Sequence, residues 1–194
     1  MKKDILLIWL STMLCLRCSN NKPLSNEKPP EEKKNYFPVK DYILSEIANV
    51  DSTPFAIFRI DIQNGKRDSA IIRTTEFDQL AKQFLLPELD SANLESSFTE
   101  SSFLDQTTQS ITFTYSRKNM LSGLQRIDVL ASPDPGFDKV KSIYLEQSLG
   151  SGDSAMIKKM YWKARRRFEI VSIKTAGTHP EDVHQLKVVW DNRD

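Results

Sequence analysis

Cysteine, histidine and glycine are all scarce in this chain of 194 residues, which contains two cysteines, two histidines and six glycines. Both cysteines lie at the extreme N-terminus, so no disulfide can form in the body of the chain. A domain of this length buries enough surface to fold without one. No Cys/His metal cluster, glycine-rich phosphate loop or pair of catalytic carboxylates stands out. We therefore expect no metal and no cofactor.

An excess of charge of one sign is also missing. The chain has 27 basic and 26 acidic residues, and 39% of it is hydrophobic. This composition is typical of a single globular domain. A nearly neutral domain gives no electrostatic reason to expect nucleic acid as a partner.

Long hydrophobic runs are absent as well, apart from one short run near the start. Ile5 to Leu16 is apolar over 12 residues and follows Lys2 and Lys3. It is too short for a membrane-spanning helix, which needs about 20 residues. Its length fits the hydrophobic region of an export signal.

This run ends in a short motif, from Leu14 to Asn21, that contains both cysteines. The motif resembles the processing site of bacterial lipoprotein precursors. The resemblance implies that a type II signal peptidase cuts before Cys18, which then carries a diacylglyceryl thioether and an acylated amine. The preceding residue is usually small in that family but is Arg17 here. Cys15 is the alternative processed cysteine, and an ordinary signal peptide or an uncleaved anchor is the other alternative. The implied location is the cell envelope, on the periplasmic side of the outer membrane, with lipid as the membrane contact.

The remaining chain divides into a tether and a domain. Cleavage would remove residues 1–17, with three basic residues and one acidic residue, and leave a formal charge near −1. Residues 18–34 contain three prolines among polar residues, so we expect a disordered tether. Residues 35–194 form the single domain.

Alternation of apolar and polar residues dominates from about Ser110 to Trp190. Ile111, Phe113 and Tyr115 share one parity, and five later segments repeat the pattern with turn residues between them. Side chains of a strand point alternately to its two faces, and short connections favour antiparallel neighbours. The pattern predicts a six-stranded meander. Both parities are apolar in the last three strands, which predicts a sheet covered, at least in part, on both faces.

Before the meander, the pattern predicts two helices and a hairpin. The first helix should begin near Pro38 and end before Ser52. Asn64-Gly65 predicts a two-residue hairpin turn that pairs Phe58 with Ile71 and Asp61 with Asp68. Arg59 and these aspartates should form a charge cluster on the outer face.

The second helix should run from Thr75 to about Leu86, with Thr75 and Asp78 as a capping box. Ser91 to Gln109 predicts a loop with one short helical turn. The predicted fold is therefore α+β: two helices and a β-hairpin packed with a curved six-stranded antiparallel β-meander. A barrel-like closure, which would remove the sheet edges, is the alternative.

Two short motifs could indicate a catalytic or metal site, but for both a purely structural role is the better interpretation. Gly152 to Ser154 is a Gly-Asp-Ser triplet, but a serine nucleophile also needs a base and an oxyanion hole. His179 and His184 are five residues apart, a poor spacing for metal ligands on one strand. We expect no enzyme and no metal site.

The third candidate is a basic hairpin with aromatic residues between its charges. Contact with phosphates or anionic lipid headgroups is one interpretation. The other is a charged hairpin whose long side-chain stems cover apolar surface. Its basic residues are Lys158, Lys159, Lys163, Arg165, Arg166 and Arg167.

These features predict a non-catalytic, lipid-anchored envelope protein that binds another envelope component. The alternative is a carrier that holds an apolar ligand, such as a lipid, in a cavity lined by the sheet.

Overall fold

The computed structural model describes residues 36–54, 56–119, 122–133, 139–151, 154–177 and 182–191. The predicted signal segment with Cys15 and Cys18, the predicted tether, Gly152, Asp153 and His179 lie outside the described residues. No helix in the described ranges is long and apolar enough to cross a membrane. The helices are α1 Val39–Asp51, α2 Thr74–Ala81 and α3 Ser91–Ser97. The strands are β1 Ile57–Gln63, β2 Lys66–Ile72, β3 Phe98–Asp105, β4 Ser110–Arg117, β5 Gly123–Ala131, β6 Val140–Ser151, β7 Ser154–Lys163, β8 Arg167–Ala176 and β9 Asp182–Val189.

All nine strands belong to one antiparallel sheet with the order β2-β1-β9-β8-β7-β6-β5-β4-β3. The α+β class is confirmed, and the predicted meander corresponds to β4 through β9. The sheet has nine strands and not six, because the predicted hairpin joins it through the pairing of β1 with β9 and the unpredicted strand β3 joins it through β4. Strands β2 and β3 are the two edges, so the sheet is open and the barrel-like alternative is wrong.

Strand β3 lies where a loop is predicted from Ser91 to Gln109. The predicted helical turn corresponds to α3, but Phe98 to Asp105 pairs along its whole length with β4. As an edge strand, β3 exposes most of its side chains. It therefore needs no apolar alternation, and its Ser- and Thr-rich sequence carries almost no strand signal.

Helix α1 has the predicted bounds, whereas helix α2 differs from its prediction in detail. Helix α2 begins at Thr74, its N-cap is Arg73, and no side chain caps it. The capping box of Thr75 and Asp78 is therefore wrong. The helix tightens into a 3₁₀ turn at Lys82–Phe84.

Cross-strand register assigns the strand residues to two faces. Ile143, Trp162, Phe168 and Val188 are consecutive partners across β6 to β9 and are fully buried. Helices α1 and α2 pack on this side, which we call the helix-side face. A half-buried strand with one apolar parity is the arrangement that such alternation predicts.

An aromatic cluster fills the space between α2 and the helix-side face. Phe77 contacts Trp190 edge-on at 5.3 Å between ring centroids, and Phe84 contacts Trp162 edge-on at 5.1 Å. Trp162 stacks on Phe168 at 5.3 Å. Each buried aromatic side chain removes about 150–250 Å² from water. This cluster therefore supplies a large share of the hydrophobic stabilisation.

The predicted hairpin register is confirmed, but its charges lie on the helix-side face and not on the outer one. Arg59 pairs in register with Val188, and Asp61 with Leu186. The side chain of Arg59 reaches α2, where Nη1 donates to Glu76 Oε1 at 2.6 Å. The outer-face prediction fails because it treats the hairpin as isolated, whereas β9 fixes which side faces the helices.

Glu46 is the one carboxylate of α1 that is buried. Its position on the helix, away from the apolar stripe, predicts a solvent-exposed side chain. Instead, Oε2 accepts hydrogen bonds from Trp162 Nε1 at 3.2 Å and from the backbone N–H of Arg165 at 2.6 Å. Arg165 has a φ of +57°, a conformation that costs a non-glycine residue free energy. Glu46 thus joins α1 to the strained turn between β7 and β8. Burial, and then the nearby Glu46 carboxylate, raise the pKa of Tyr42.

Replacing Glu46 tests this connection. Glu46→Ala leaves an indole N–H and a backbone N–H buried without an acceptor, so we expect it to lower the free energy of unfolding by about 2–4 kcal/mol. Glu46→Gln retains one carbonyl acceptor and should cost about 1 kcal/mol. Denaturant unfolding of the two variants measures the difference. Equal losses, or a loss no larger than that of the exposed Asn49→Ala on the same helix, would contradict this role.

Candidate functional site

The six basic residues of the predicted hairpin do not form one cluster. Lys158 lies on the helix-side face, where its Nζ donates to Gln83 Oε1 at 3.3 Å. Lys159, Lys163 and Arg167 have the opposite parity and lie on the other side of the sheet. Adjacent residues of a strand point to opposite faces, so Lys158 and Lys159 cannot serve the same surface.

The other two basic residues, Arg165 and Arg166, build the turn between β7 and β8. The backbone N–H of Arg165 is held by Glu46 Oε2. The carbonyl of Arg166 accepts from the N–H of Trp190 at 3.0 Å and of Asp191 at 3.2 Å. The backbone groups of Arg165 and Arg166 therefore have a structural role, because they join the turn to α1 and to the end of β9.

The side of the sheet opposite the helices, which we call the open face, is not part of the core. Among the described residues, the apolar core cluster contains no side chain of this face. The prediction that the sheet is covered on both faces thus fails for the described elements. That prediction rests on the apolar residues of both parities in β7 to β9. The apolar residues of the second parity are present, and they lie on the open face, where some of them are exposed.

One row of the open face combines basic and apolar side chains. Lys163, Arg167, Val189, Phe58 and Ile71 are consecutive cross-strand partners on β7, β8, β9, β1 and β2. Phe58 is 46% exposed and Ile71 is 72% exposed. At about 4.8 Å between strands, the row extends for about 19 Å. We call it the basic–apolar row.

The charges around this row leave an excess of basic groups. Arg167 Nε lies 3.1 Å from Glu169 Oε1, which Lys187 Nζ also approaches at 3.3 Å. Lys159 and Lys163 have no carboxylate partner among the described residues. A partner that brings carboxylates or phosphates to this face would meet the unpaired ammonium group of Lys163, whereas Lys159 lies directly opposite Glu146.

Two tyrosines occupy the centre of the open face. Tyr144 and Tyr161 are direct cross-strand partners on β6 and β7. The hydroxyl of Tyr144 donates to Glu146 Oε2 at 2.7 Å. Burial, followed by this hydrogen bond, raises the pKa of Tyr144. Tyrosines with one polar end are common in binding surfaces because they combine large apolar area with a hydrogen-bonding group.

A second feature lies on the helix-side face, at the end of the sheet that α2 does not cover. It is a polar pocket of about 300 Å³ formed by β1, β7, β8, β9 and the 3₁₀ turn after α2. Its lining residues are Gln63, Gln83, Met156, Lys158, Ser172, Lys174, Asp182 and His184. Of these, only Lys158 belongs to the site residues predicted from sequence.

Within the pocket, Nε2 of His184 lies 2.9 Å from Asp61 Oδ1. Ser172 is the direct cross-strand partner of His184. An activated serine requires a hydrogen bond between its hydroxyl and the histidine, and no Ser172–His184 hydrogen bond is formed among the described residues. In the described ranges, no group of three or more His, Cys, Asp or Glu side chains could hold a metal ion.

The other sequence candidates contribute little to either feature. Ser154 begins β7 and is exposed, whereas the rest of its triplet lies outside the described residues. Cys18 also lies outside them. No protein-family model matches this chain, and no curated protein or solved structure matches it.

Proposed function

We propose that this protein is a non-catalytic, lipid-anchored protein of the cell envelope, and that it binds another envelope component on the open face of its sheet. The observation that carries the proposal is the basic–apolar row, in which Lys163 and Arg167 lie beside exposed Phe58 and Ile71. Exposed apolar groups bordered by charge are characteristic of interaction sites.

The row also suggests the chemistry of the partner. Apolar burial at Phe58 and Ile71 would supply affinity, whereas Lys163 and Arg167 would favour an acidic surface and give specificity. We therefore propose a protein partner with carboxylates next to an apolar patch. The domain gives no electrostatic reason to include nucleic acid.

A carrier for an apolar ligand is the second candidate from the sequence. The space under the helices is filled by the aromatic cluster, and the described pocket is lined mainly by polar side chains. No described feature favours this alternative over partner binding.

The lipid anchor rests on the resemblance of the N-terminal motif to lipoprotein precursors. Several acyl chains on one cysteine would hold the protein durably to a membrane, whereas one chain would not. We propose Cys18 as the modified residue and the periplasmic side of the outer membrane as the location.

The anchor can be tested by fractionating cells that produce cysteine variants. We expect Cys18→Ser to move the protein out of the membrane fraction, because the thioether can no longer form, and Cys15→Ser to leave it there. Mass spectrometry of the N-terminal peptide would identify the modification. If Cys15→Ser alone releases the protein, the processed cysteine is Cys15, and if neither variant releases it, the anchor proposal is wrong.

The open face can be tested with a photo-crosslinking amino acid in intact cells. Placed at Ile71, it should capture a discrete partner. Placed at Leu44, which is 44% exposed on helix α1, it should not, because α1 lies on the opposite side of the sheet. Lys163→Gln with Arg167→Gln should reduce the Ile71 adduct several-fold and make the remainder insensitive to salt.

The same experiment can reject the proposal. Absence of any adduct at Ile71, or equal adducts at both positions, would contradict a partner on the open face. An Ile71 adduct with phospholipid and none with protein would replace the protein partner by the membrane surface.

A further inference from the structure

The polar pocket contains charged groups of both signs that have no charged partner. Lys158 Nζ has one described hydrogen-bond acceptor, the neutral Gln83 Oε1 at 3.3 Å. No carboxylate pairs with it among the described residues. Burial lowers the pKa of Lys158, which is the expected response of an ammonium removed from water without a counter-ion. An anionic group in the pocket would offset that cost.

Lys174 and Asp182 face each other across β8 and β9 and line the same pocket. Opposite charges at such positions usually interact, but these two form no ion pair in the described structure. Oδ1 of Asp182 is buried and has no hydrogen-bond partner among the described residues. A buried acceptor without a donor is costly, so this oxygen would gain from a donor in the pocket.

The remaining charged residues of this region are already engaged. Asp61 is occupied by His184, whose Nε2 lies 2.9 Å from it. Asp61 therefore does not compete with Asp182 for a cation. The pocket offers two ammonium groups and one carboxylate oxygen, in a volume of about 300 Å³ that is at the lower end of the range for small-molecule sites.

We propose that this pocket binds a small zwitterion, with the ligand's acidic group on Lys158 and Lys174 and its ammonium group on Asp182. Both an amino carboxylate and an amino phosphate have this chemistry, and the two sources differ in the shape and charge of the acidic group. The site is independent of the open face, because it lies on the other side of the sheet and uses different residues.

Calorimetric titration of the full-length protein in detergent tests the proposal with two matched pairs of probes. Glycine is compared with acetate, and phosphoethanolamine with inorganic phosphate. We expect at least one zwitterion to bind about tenfold more tightly than the plain anion of its pair, since a charge-assisted hydrogen bond to Asp182 is added. The pair that responds identifies the carboxylate or the phosphate as the acidic group.

Variants assign the binding to the named residues. Lys158→Gln should weaken the bound probe about tenfold, and Asp182→Asn should remove the advantage of the zwitterion over the plain anion. Lys159→Gln is the matched control, because this neighbouring lysine lies on the open face. Lys174→Gln, at an exposed position, repeats the test if circular dichroism shows that Lys158→Gln does not fold.

Four results would overturn the inference, three with the probes and pocket variants and one with the control. The first three are no binding of any of the four probes, equal affinities within both pairs, or unchanged binding in both lysine variants of the pocket. Loss of binding in the Lys159→Gln control would also contradict it, since that side chain does not line the pocket.

Discussion

The contact between Glu46 and the turn from β7 to β8 is the constraint on which the arrangement of the domain depends. One buried carboxylate oxygen satisfies the indole of Trp162 and the N–H of Arg165. It thereby fixes where α1 crosses the sheet, holds a turn residue with positive φ, and orients the tryptophan around which the aromatic cluster packs. A buried carboxylate is costly unless its hydrogen bonds are made, so this contact specifies one docking position for the helix.

A single helix layer on a nine-stranded open sheet has two consequences for function. The helix-side face is filled where α1 and α2 cover it, and the end beyond them becomes the polar pocket. The open face has no described cover and carries basic and apolar side chains in register. The two candidate sites therefore occupy opposite sides of the sheet, and the alternation of Lys158 and Lys159 assigns one lysine to each.

Local sequence patterns predict the elements of this domain better than the relations between them. Alternation around Phe113 and turn residues such as Asn64-Gly65 identify eight of the nine strands, and the strand they miss is the edge strand β3. The pairing of β1 with β9 joins residues more than a hundred positions apart and has no local signature. Parity does separate Lys158 from Lys159, so the division of the basic hairpin is readable from sequence. The pocket is not, because Gln83, Lys158 and Asp182 meet only through the sheet order.

The central claim is that a partner covers the basic–apolar half of the open face in the cell. Hydroxyl-radical footprinting of the purified protein and of intact envelopes tests it with two phenylalanines of the same face, Phe58 at 46% exposure and Phe103 at 68%. Both should oxidise in the purified protein. In the envelope, Phe58 should be protected several-fold, whereas Phe103, at the far edge on β3, should remain reactive. Equal oxidation of Phe58 in both samples would contradict the account.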